Sequence, residues 1–157
     1  MQLLKLSKDF TLHELTHTST GLVNKPDSDE VFKLTELALH ILQPIRDRWG
    51  ALKITSGFRS YAVNSAAGGV PTSQHCFGEA ADFVPLEPIP GFKMEHVIDA
   101  MIDEIFVWIV RESGLKFGQC INEHRGASHW IHVSLPRDGK ENQEALDYDG
   151  KKYTKFV

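Results

Sequence analysis

The stretch SQHCFGEAADF, residues 73–83, holds a histidine and an aspartate seven positions apart, His75 and Asp82. Catalytic zinc usually takes three protein ligands from His, Asp, Glu or Cys and leaves one position open for water. Gly78 lets the chain double back between the two residues, and the small alanines after it allow a neighbouring element to approach closely. Because His–Asp pairs are common by chance, this stretch predicts a metal site only together with a third ligand.

The third ligand is expected on the stretch HWIHVSL, residues 129–135, whose composition is typical of a β-strand. Successive side chains of a strand point to opposite faces, so His132 and Trp130 share one face while Ile131 and Val133 share the other. His75, Asp82 and His132 would then form an open three-ligand site. This set of donors suits several divalent metals.

Helical patterns occupy two long parts of the chain. Apolar residues at helical spacing follow Ser28 and Asp29, either of which can cap the helix, and Gly50 can end it. Pro44 lacks a backbone donor and is expected to kink or divide this helix. A second amphipathic helix is predicted from about residue 94 to residue 113, after a Pro-rich loop.

Strand patterns fill most of the remainder. Strands are predicted for ALKITS, for EAADFV, and for KFGQCINE and HWIHVSL as an antiparallel hairpin. Asp149-Gly150 predicts a type I′ turn near the C-terminus. We therefore predict an α+β fold with a small antiparallel sheet and flanking helices, in a single domain over residues 1–157, of which residues 136–157 form a C-terminal tail or hairpin.

Composition and charge exclude several classes of protein. The 157 residues are 41% hydrophobic and 24% charged, which is typical of a globular domain, and a net charge of −4 argues against a nucleic-acid partner. Cys76 and Cys120 are too few for a disulfide scaffold and are expected to be buried thiols. No segment has the length of a signal peptide's apolar core or of a membrane span, so we expect a cytoplasmic, monomeric product without membrane insertion.

The motifs ITSGFRS, SQHCFGEAADF and HWIHVS occur in the order seen in one family of enzymes. Together they resemble the M15 family of zinc D,D-carboxypeptidases and peptidoglycan endopeptidases. FTLHELT, NKP and LQPIRDRWG are similar to the phage and prophage branch of that family. The likeness runs from about residue 8 to residue 135 and implies a fold of the hedgehog/D,D-peptidase type.

This resemblance assigns roles to particular residues. His75, Asp82 and His132 would hold one Zn²⁺, and Arg59 of the SGFRS motif would bind a substrate carboxylate or the developing oxyanion. Ser73 would be either a substrate contact or a serine that caps the loop.

The general base is open between two residues. Some members of the family place Glu or Asp three positions before the last ligand, where this chain has His129. The phage-type branch has a Gln-x-x-x-Glu strand that matches Gln119 and Glu123, with Gln119 also a candidate substrate contact. Glu123 is favoured as the base, with His129 as the alternative or as an oxyanion contact, and Trp130 is expected to form a wall of the substrate pocket.

The resemblance implies a zinc-dependent peptidase that cleaves peptidoglycan stem peptides. The bond would be L-Ala–D-Glu, as in endolysins of this family, or terminal D-Ala-D-Ala. A single small domain suits a phage or prophage lysis enzyme that reaches the host cell wall after membrane permeabilisation. The alternative is a non-catalytic, zinc-containing binding or virion structural module of the same fold.

Overall fold

The computed structural model describes residues 3–86, 94–137 and 142–157. The predicted Pro-rich loop after residue 84 lies mostly outside these residues. Within the described parts of the chain, no helix combines the length and the apolar character needed to cross a membrane.

The N-terminal helices begin at side-chain caps. Helix α1, Leu12–Thr16, starts with a reciprocal pair in which the Thr11 hydroxyl accepts from the Glu14 N–H and the Glu14 carboxylate accepts from the Thr11 N–H. Helix α2, Ser28–Leu37, starts in the same way from Asp27. The predicted caps, one or two residues later, were wrong because the Asp27 carboxylate already satisfies the free backbone donor of the third helical residue.

Pro44 divides the first long helix, as predicted. A π-helical turn, Ala38–Leu42, follows α2, and α-helical geometry resumes in α3, Gln43–Trp49. Pro44 has no N–H to donate, and the wider turn before it places the Gln43 N–H on the Ala38 carbonyl. Gly50 ends α3 with φ 88°, and its N–H donates to the Arg46 carbonyl.

Six strands form one sheet in the order β1-β2-β4-β3-β5-β6. Their bounds are β1 Leu52–Ser56, β2 Ala80–Pro85, β3 Gln119–Arg125, β4 Ser128–Ser134, β5 Glu144–Tyr148 and β6 Tyr153–Lys155. All neighbouring strands are antiparallel except β3 and β5, which are parallel. The predicted α+β class is confirmed, with the correction that the sheet is mixed. The parallel pair arises because β4 ends beside the start of β3, and β5 begins at the same end on the other side of β3.

The C-terminal hairpin is present, but its turn is not the predicted two-residue type. Tyr148 pairs with Tyr153, so four residues form the loop between β5 and β6. The Asp149 carboxylate accepts from the backbone N–H groups of Lys151 and Lys152, and this local bonding favours the wider loop.

The two faces of the sheet have different environments. Helix α5, Met94–Arg111, packs against one face, where Ile131 and Val133 of β4 join Ile102 and Phe106 of α5 in the buried core. The predicted helix over 94–113 is thus confirmed with an end two residues earlier. Between β1 and β2 the chain forms helix α4, Tyr61–Ala66, and a 3₁₀ turn, Gln74–Phe77. The 3₁₀ turn contributes to the other face of the sheet, which carries the candidate site.

Candidate active site

A polar cleft of about 460 Å³ opens on the sheet face that lies away from α5. It is bounded by the segment between α4 and the 3₁₀ turn, by β2, β3 and β4, and by the C-terminal hairpin. The side chains that bear on its chemistry are Arg59, Ser73, His75, Asp82, Gln119, Glu123, Arg125, Trp130, His132, Arg137 and Tyr153.

Two strands and one turn bring His75, Asp82 and His132 together. Asp82 and His132 are direct cross-strand partners in β2 and β4, while His75 projects from the 3₁₀ turn. All three residues are buried, and one ligand atom from each lies within 4.8 Å of the others. The sheet register and the turn geometry therefore fix the relative positions of the three side chains.

His75 is oriented by groups outside this cluster. The Ser73 hydroxyl accepts from the His75 N–H, and the ring Nδ1–H donates to the Gly57 carbonyl over 2.8 Å. Because a carbonyl only accepts, this bond leaves the lone pair of His75 on Nε2, which lies 3.3 Å from Asp82 Oδ1. That is the tautomer a metal ligand requires.

Asp82 is held as a carboxylate. Burial alone would raise its pKa, but in the metal-free site the charge of a protonated His75 and hydrogen bonds from His132 and His75 outweigh burial and hold the pKa well below its ordinary range. Arg59 adds a guanidinium nitrogen 3.4 Å from Asp82 Oδ2, and its Nε donates to the Ser56 hydroxyl. The carboxylate therefore stays ionised in a buried position.

These residues fit a divalent cation of the zinc type. Two imidazole nitrogens and one carboxylate oxygen are the ligands of many catalytic zinc sites. The separation of 3.3 Å between His75 Nε2 and Asp82 Oδ1 is close to the edge of about 3.4 Å of a tetrahedron around zinc. The cleft beside the cluster leaves space for water and substrate.

Glu123 lies on the same sheet face, one strand away from His132. It pairs with Trp130 across β3 and β4, and its alternation with Asn122 turns it toward the cleft. Partial burial is the main reason that its pKa is raised, and the Asp82 charge raises it further against the opposing effects of His132, Arg125 and Arg59. A carboxyl group with a raised pKa beside a metal-ligand cluster is suited to accept and return a proton.

Comparison with known families agrees with this geometry. A sequence model of the Peptidase M15 family matches residues 7–134, which is most of the chain. The chain belongs to the M15 peptidase family. No curated protein sequence matches the chain. The family match includes the ligand cluster and Glu123, and it ends before β5 and β6.

Three other predicted site residues of this M15 peptidase also line the cleft. Ser73 caps the 3₁₀ turn and faces the cleft, so its two predicted roles are compatible. Gln119 donates from Nε2 to a Glu144 carboxylate oxygen 2.6 Å away, which joins the cleft floor to β5. Trp130 forms part of the wall, and its buried indole N–H has no hydrogen-bond partner among the described residues.

His129 is the one predicted site residue that the structure does not bring to the cleft. It is three residues before His132, so strand alternation turns it to the opposite face, toward α5. Its Nδ1 lies 2.9 Å from Asp99 Oδ1, and its Nε2 lies 2.6 Å from Asn122 Oδ1. The odd spacing to His132 was the sequence signal for this placement.

Three residues of the M15 peptidase cleft were not singled out from the sequence. Arg125 lies at the end of β3, Arg137 lies after β4, and Tyr153 lies on β6, beyond the family match. Arg137 is anchored by Glu79, whose carboxylate accepts from Arg137 Nε over 3.0 Å. The position of Tyr153 depends on the pairing of β5 with β3, which no local sequence motif specifies.

Proposed function

We propose that the chain is a zinc-dependent peptidase that hydrolyses a peptide bond in peptidoglycan stem peptides. The observation that carries the proposal is the buried cluster of His75, Asp82 and His132 in an open cleft, with Glu123 on the same face of the sheet. Family membership supports peptidase chemistry.

The charge of the cleft supports a substrate that carries carboxylates. Arg59, Arg125 and Arg137 contribute guanidinium groups to its lining, and a guanidinium binds a carboxylate through paired hydrogen bonds. Stem peptides contain D-Glu and end in D-Ala, so they present carboxylates close to the candidate bonds. The guanidinium groups of the cleft and the family membership of the chain therefore both support this substrate class.

The proposed mechanism divides the work among the side chains of the cleft. His75, Asp82 and His132 would hold a zinc ion, which would supply polarisation of the scissile carbonyl and a water whose pKa is lowered to about 7. Glu123 accepts the proton of the attacking water and returns it to the leaving amine. Its raised pKa helps the second transfer, because the protonated carboxyl is then an accessible acid.

Arg59 has a positioning and electrostatic role in this proposal. The Ser56 hydroxyl and the Asp82 carboxylate hold its guanidinium at the edge of the ligand cluster. There it can donate to a substrate carboxylate or to the oxyanion that develops on the carbonyl. Trp130 and Tyr153 supply apolar walls against which the peptide can lie.

We propose a biological role as a lysis enzyme of a phage or prophage. The protein would be made in the cytoplasm, act as a monomer, and reach the host cell wall after the membrane is permeabilised. Cleavage of L-Ala–D-Glu would give endolysin activity, and cleavage of D-Ala-D-Ala would give carboxypeptidase activity.

Mass spectrometry of muropeptides after digestion of purified peptidoglycan tests this function. The zinc-loaded protein should release either peptides that begin at D-Glu or free D-Ala, and the product identifies the bond. Glu123→Gln should bind zinc and release neither product. Zinc binding without any product from the unmodified protein would favour the non-catalytic binding module instead.

A further inference from the structure

A second group of histidines and carboxylates lies on the opposite face of the sheet. Helix α5 contributes Asp99 and Asp103, which are four residues apart and therefore on one side of the helix. The β3–β4 hairpin contributes His124 and His129, which are direct cross-strand partners. The group shares no residue with the cleft described above.

His129 is at the centre of this group. Its side chain is only 4% exposed, and Asp99 Oδ1 lies 2.9 Å from Nδ1. On the other side, Asn122 Oδ1 lies 2.6 Å and Asp103 Oδ1 lies 3.6 Å from Nε2. A neutral imidazole donates from one nitrogen only, yet both nitrogens face oxygen acceptors, so donation from Nδ1–H to Asp99 leaves Nε2 and two oxygen acceptors around a point that a metal cation would satisfy.

The orientation of Asn122 strengthens that conclusion. Its Nδ2 donates to Asp103 Oδ1 over 2.9 Å, which turns its own Oδ1 toward His129 Nε2. A flipped amide would place two oxygen acceptors against each other at Asp103. The oxygen atoms around Nε2 are therefore fixed, and a divalent cation there would meet a carboxylate, an imidazole nitrogen and an amide oxygen.

The distances match metal coordination. One ligand atom each from Asp103, His124 and His129 lies within 4.8 Å of the others. The 3.6 Å between Asp103 Oδ1 and His129 Nε2 is long for a hydrogen bond but close to the edge of about 3.4 Å of a tetrahedral zinc site. His124 is exposed and stacks on His129 with ring centroids 3.8 Å apart, and one of its ring nitrogens is the third atom of this group.

We propose that Asp103, His124 and His129 form a second divalent-metal site, selective for zinc-like ions, with Asp99 as its outer-shell partner. Donation from His129 Nδ1–H to Asp99 would leave Nε2 free for the metal, which is the usual carboxylate–histidine–metal arrangement. Imidazole ligands favour Zn²⁺ over Mg²⁺ or Ca²⁺. The ion would join α5 to the hairpin that carries Glu123 and His132 and so stabilise the framework of the cleft.

Metal stoichiometry of the full-length, tag-free chain tests the site. After equilibration with micromolar free Zn²⁺, we expect two equivalents per chain for the unmodified protein. We expect one equivalent for His124→Ala, with peptidoglycan hydrolysis unchanged because His124 is on the other side of the sheet from the cleft. The matched control is His40→Ala, which removes an exposed histidine paired with Glu36 at 3.5 Å and should leave two equivalents.

Asp99→Asn provides a second, milder variant that keeps all three ligands. Loss of an outer-shell carboxylate should weaken the second site by about 10- to 100-fold in zinc affinity, as measured by calorimetric titration. A single equivalent in the unmodified protein that His124→Ala retains, two equivalents in His124→Ala, or equal affinities in Asp99→Asn and the unmodified chain would each overturn the proposal.

The same measurement separates this inference from the proposed peptidase. His75→Ala should also reduce the stoichiometry by one, but through the cleft. If His124→Ala removes an equivalent and His75→Ala does not, the second site stands and the catalytic zinc fails. The reverse result keeps the peptidase and removes the second site.

Discussion

His132 Nδ1 lies 2.9 Å from Asp82 Oδ1, and the two residues are direct cross-strand partners in adjacent strands. The backbone register of β2 and β4 therefore sets the spacing of two candidate metal ligands. A shift of β4 by one residue would turn His132 to the α5 face of the sheet and away from Asp82. The ligand cluster is for this reason part of the sheet framework.

Removing a ligand should abolish both metal binding in the cleft and hydrolysis. We expect Asp82→Asn to weaken zinc binding at this site by at least about 100-fold, because an inner ligand contributes more than the outer-shell groups whose loss costs about 10- to 100-fold. Metal analysis and muropeptide release measure the two effects. His17→Ala removes an exposed histidine that does not line the cleft and should change neither quantity.

Removal of zinc should destabilise the unmodified chain. A ligand that binds only the folded state at 100 times its dissociation constant adds about 2.7 kcal/mol of stability, so chelation should lower the melting temperature by several degrees. Calorimetry with and without a chelator measures the shift. His75→Ala should show a smaller shift than the unmodified chain, and an equal shift in the two proteins would contradict zinc binding at His75.

Glu123→Gln should separate catalysis from metal binding. The amide cannot accept the proton of the attacking water, so we expect kcat to fall by about 100- to 10,000-fold while the zinc affinity of the cleft is retained. Steady-state hydrolysis of a synthetic stem peptide measures kcat. Adding Gln119→Glu to this variant should not restore kcat, because the side chain at position 119 is directed to Glu144 on β5. A kcat close to that of the unmodified protein would require another base.

The same substitution should stabilise the metal-free chain at neutral pH. Burial raises the pKa of Glu123 in the folded state, so ionisation of this carboxyl at pH 7 costs folding free energy. The cost is absent below the unfolded-state pKa near 4.5, grows as pH rises above that value, and is complete once the pH exceeds the folded-state pKa. We therefore expect the chelator-treated Glu123→Gln variant to have a higher melting temperature than the chelator-treated unmodified chain at pH 7. At about pH 4 the two melting temperatures should be equal.

Tyr153 should contribute to substrate binding from outside the family match. Its ring is held against Tyr148 with centroids 4.5 Å apart, and it lines the cleft from β6. We expect Tyr153→Ala to raise KM by about 2- to 10-fold with little change in kcat, since one aromatic contact contributes about 0.5–1.5 kcal/mol. Tyr61→Ala removes an exposed tyrosine on α4 and should leave KM unchanged.

The parts of the site that the sequence predicted are those determined by local rules. Strand alternation turns His132 and Trp130 to the same face, and the pair His75 and Asp82 follows from a turn that leads directly into a strand. Pro44 divides its helix because it lacks a backbone N–H, which affects only the adjacent helical turn. In each case the deciding interaction lies within a few residues of the motif.

The parts that were missed depend on contacts between distant segments. Tyr153 reaches the cleft only because β5 pairs in parallel with β3, a pairing that no turn motif encodes. His129 matches a family position in sequence, but its odd spacing to His132 turns its side chain to the α5 face of the sheet. The turn after Tyr148 widened because a carboxylate bonded to two backbone donors beyond it.

Gly78 provides a test of how tightly the 3₁₀ turn positions His75. Its φ is 72°, and a Cβ atom there would lie 2.5 Å from the backbone oxygen of Glu30 on α2. Gly78→Ala should therefore cost more than the roughly 1–2 kcal/mol of a left-handed alanine, because the turn must also move away from α2. Zinc affinity should fall with stability, since the same turn holds His75.

Gly21→Ala is the matched control for this substitution. Gly21 has a φ of 75°, and a Cβ atom there would have nothing within 4 Å, so only the conformational cost applies. Chemical denaturation and zinc titration of the two variants give the comparison. We expect Gly78→Ala to lose more unfolding free energy than Gly21→Ala and to be the only one of the two with weakened zinc binding. Equal losses would mean that α2 does not support the metal-ligand turn.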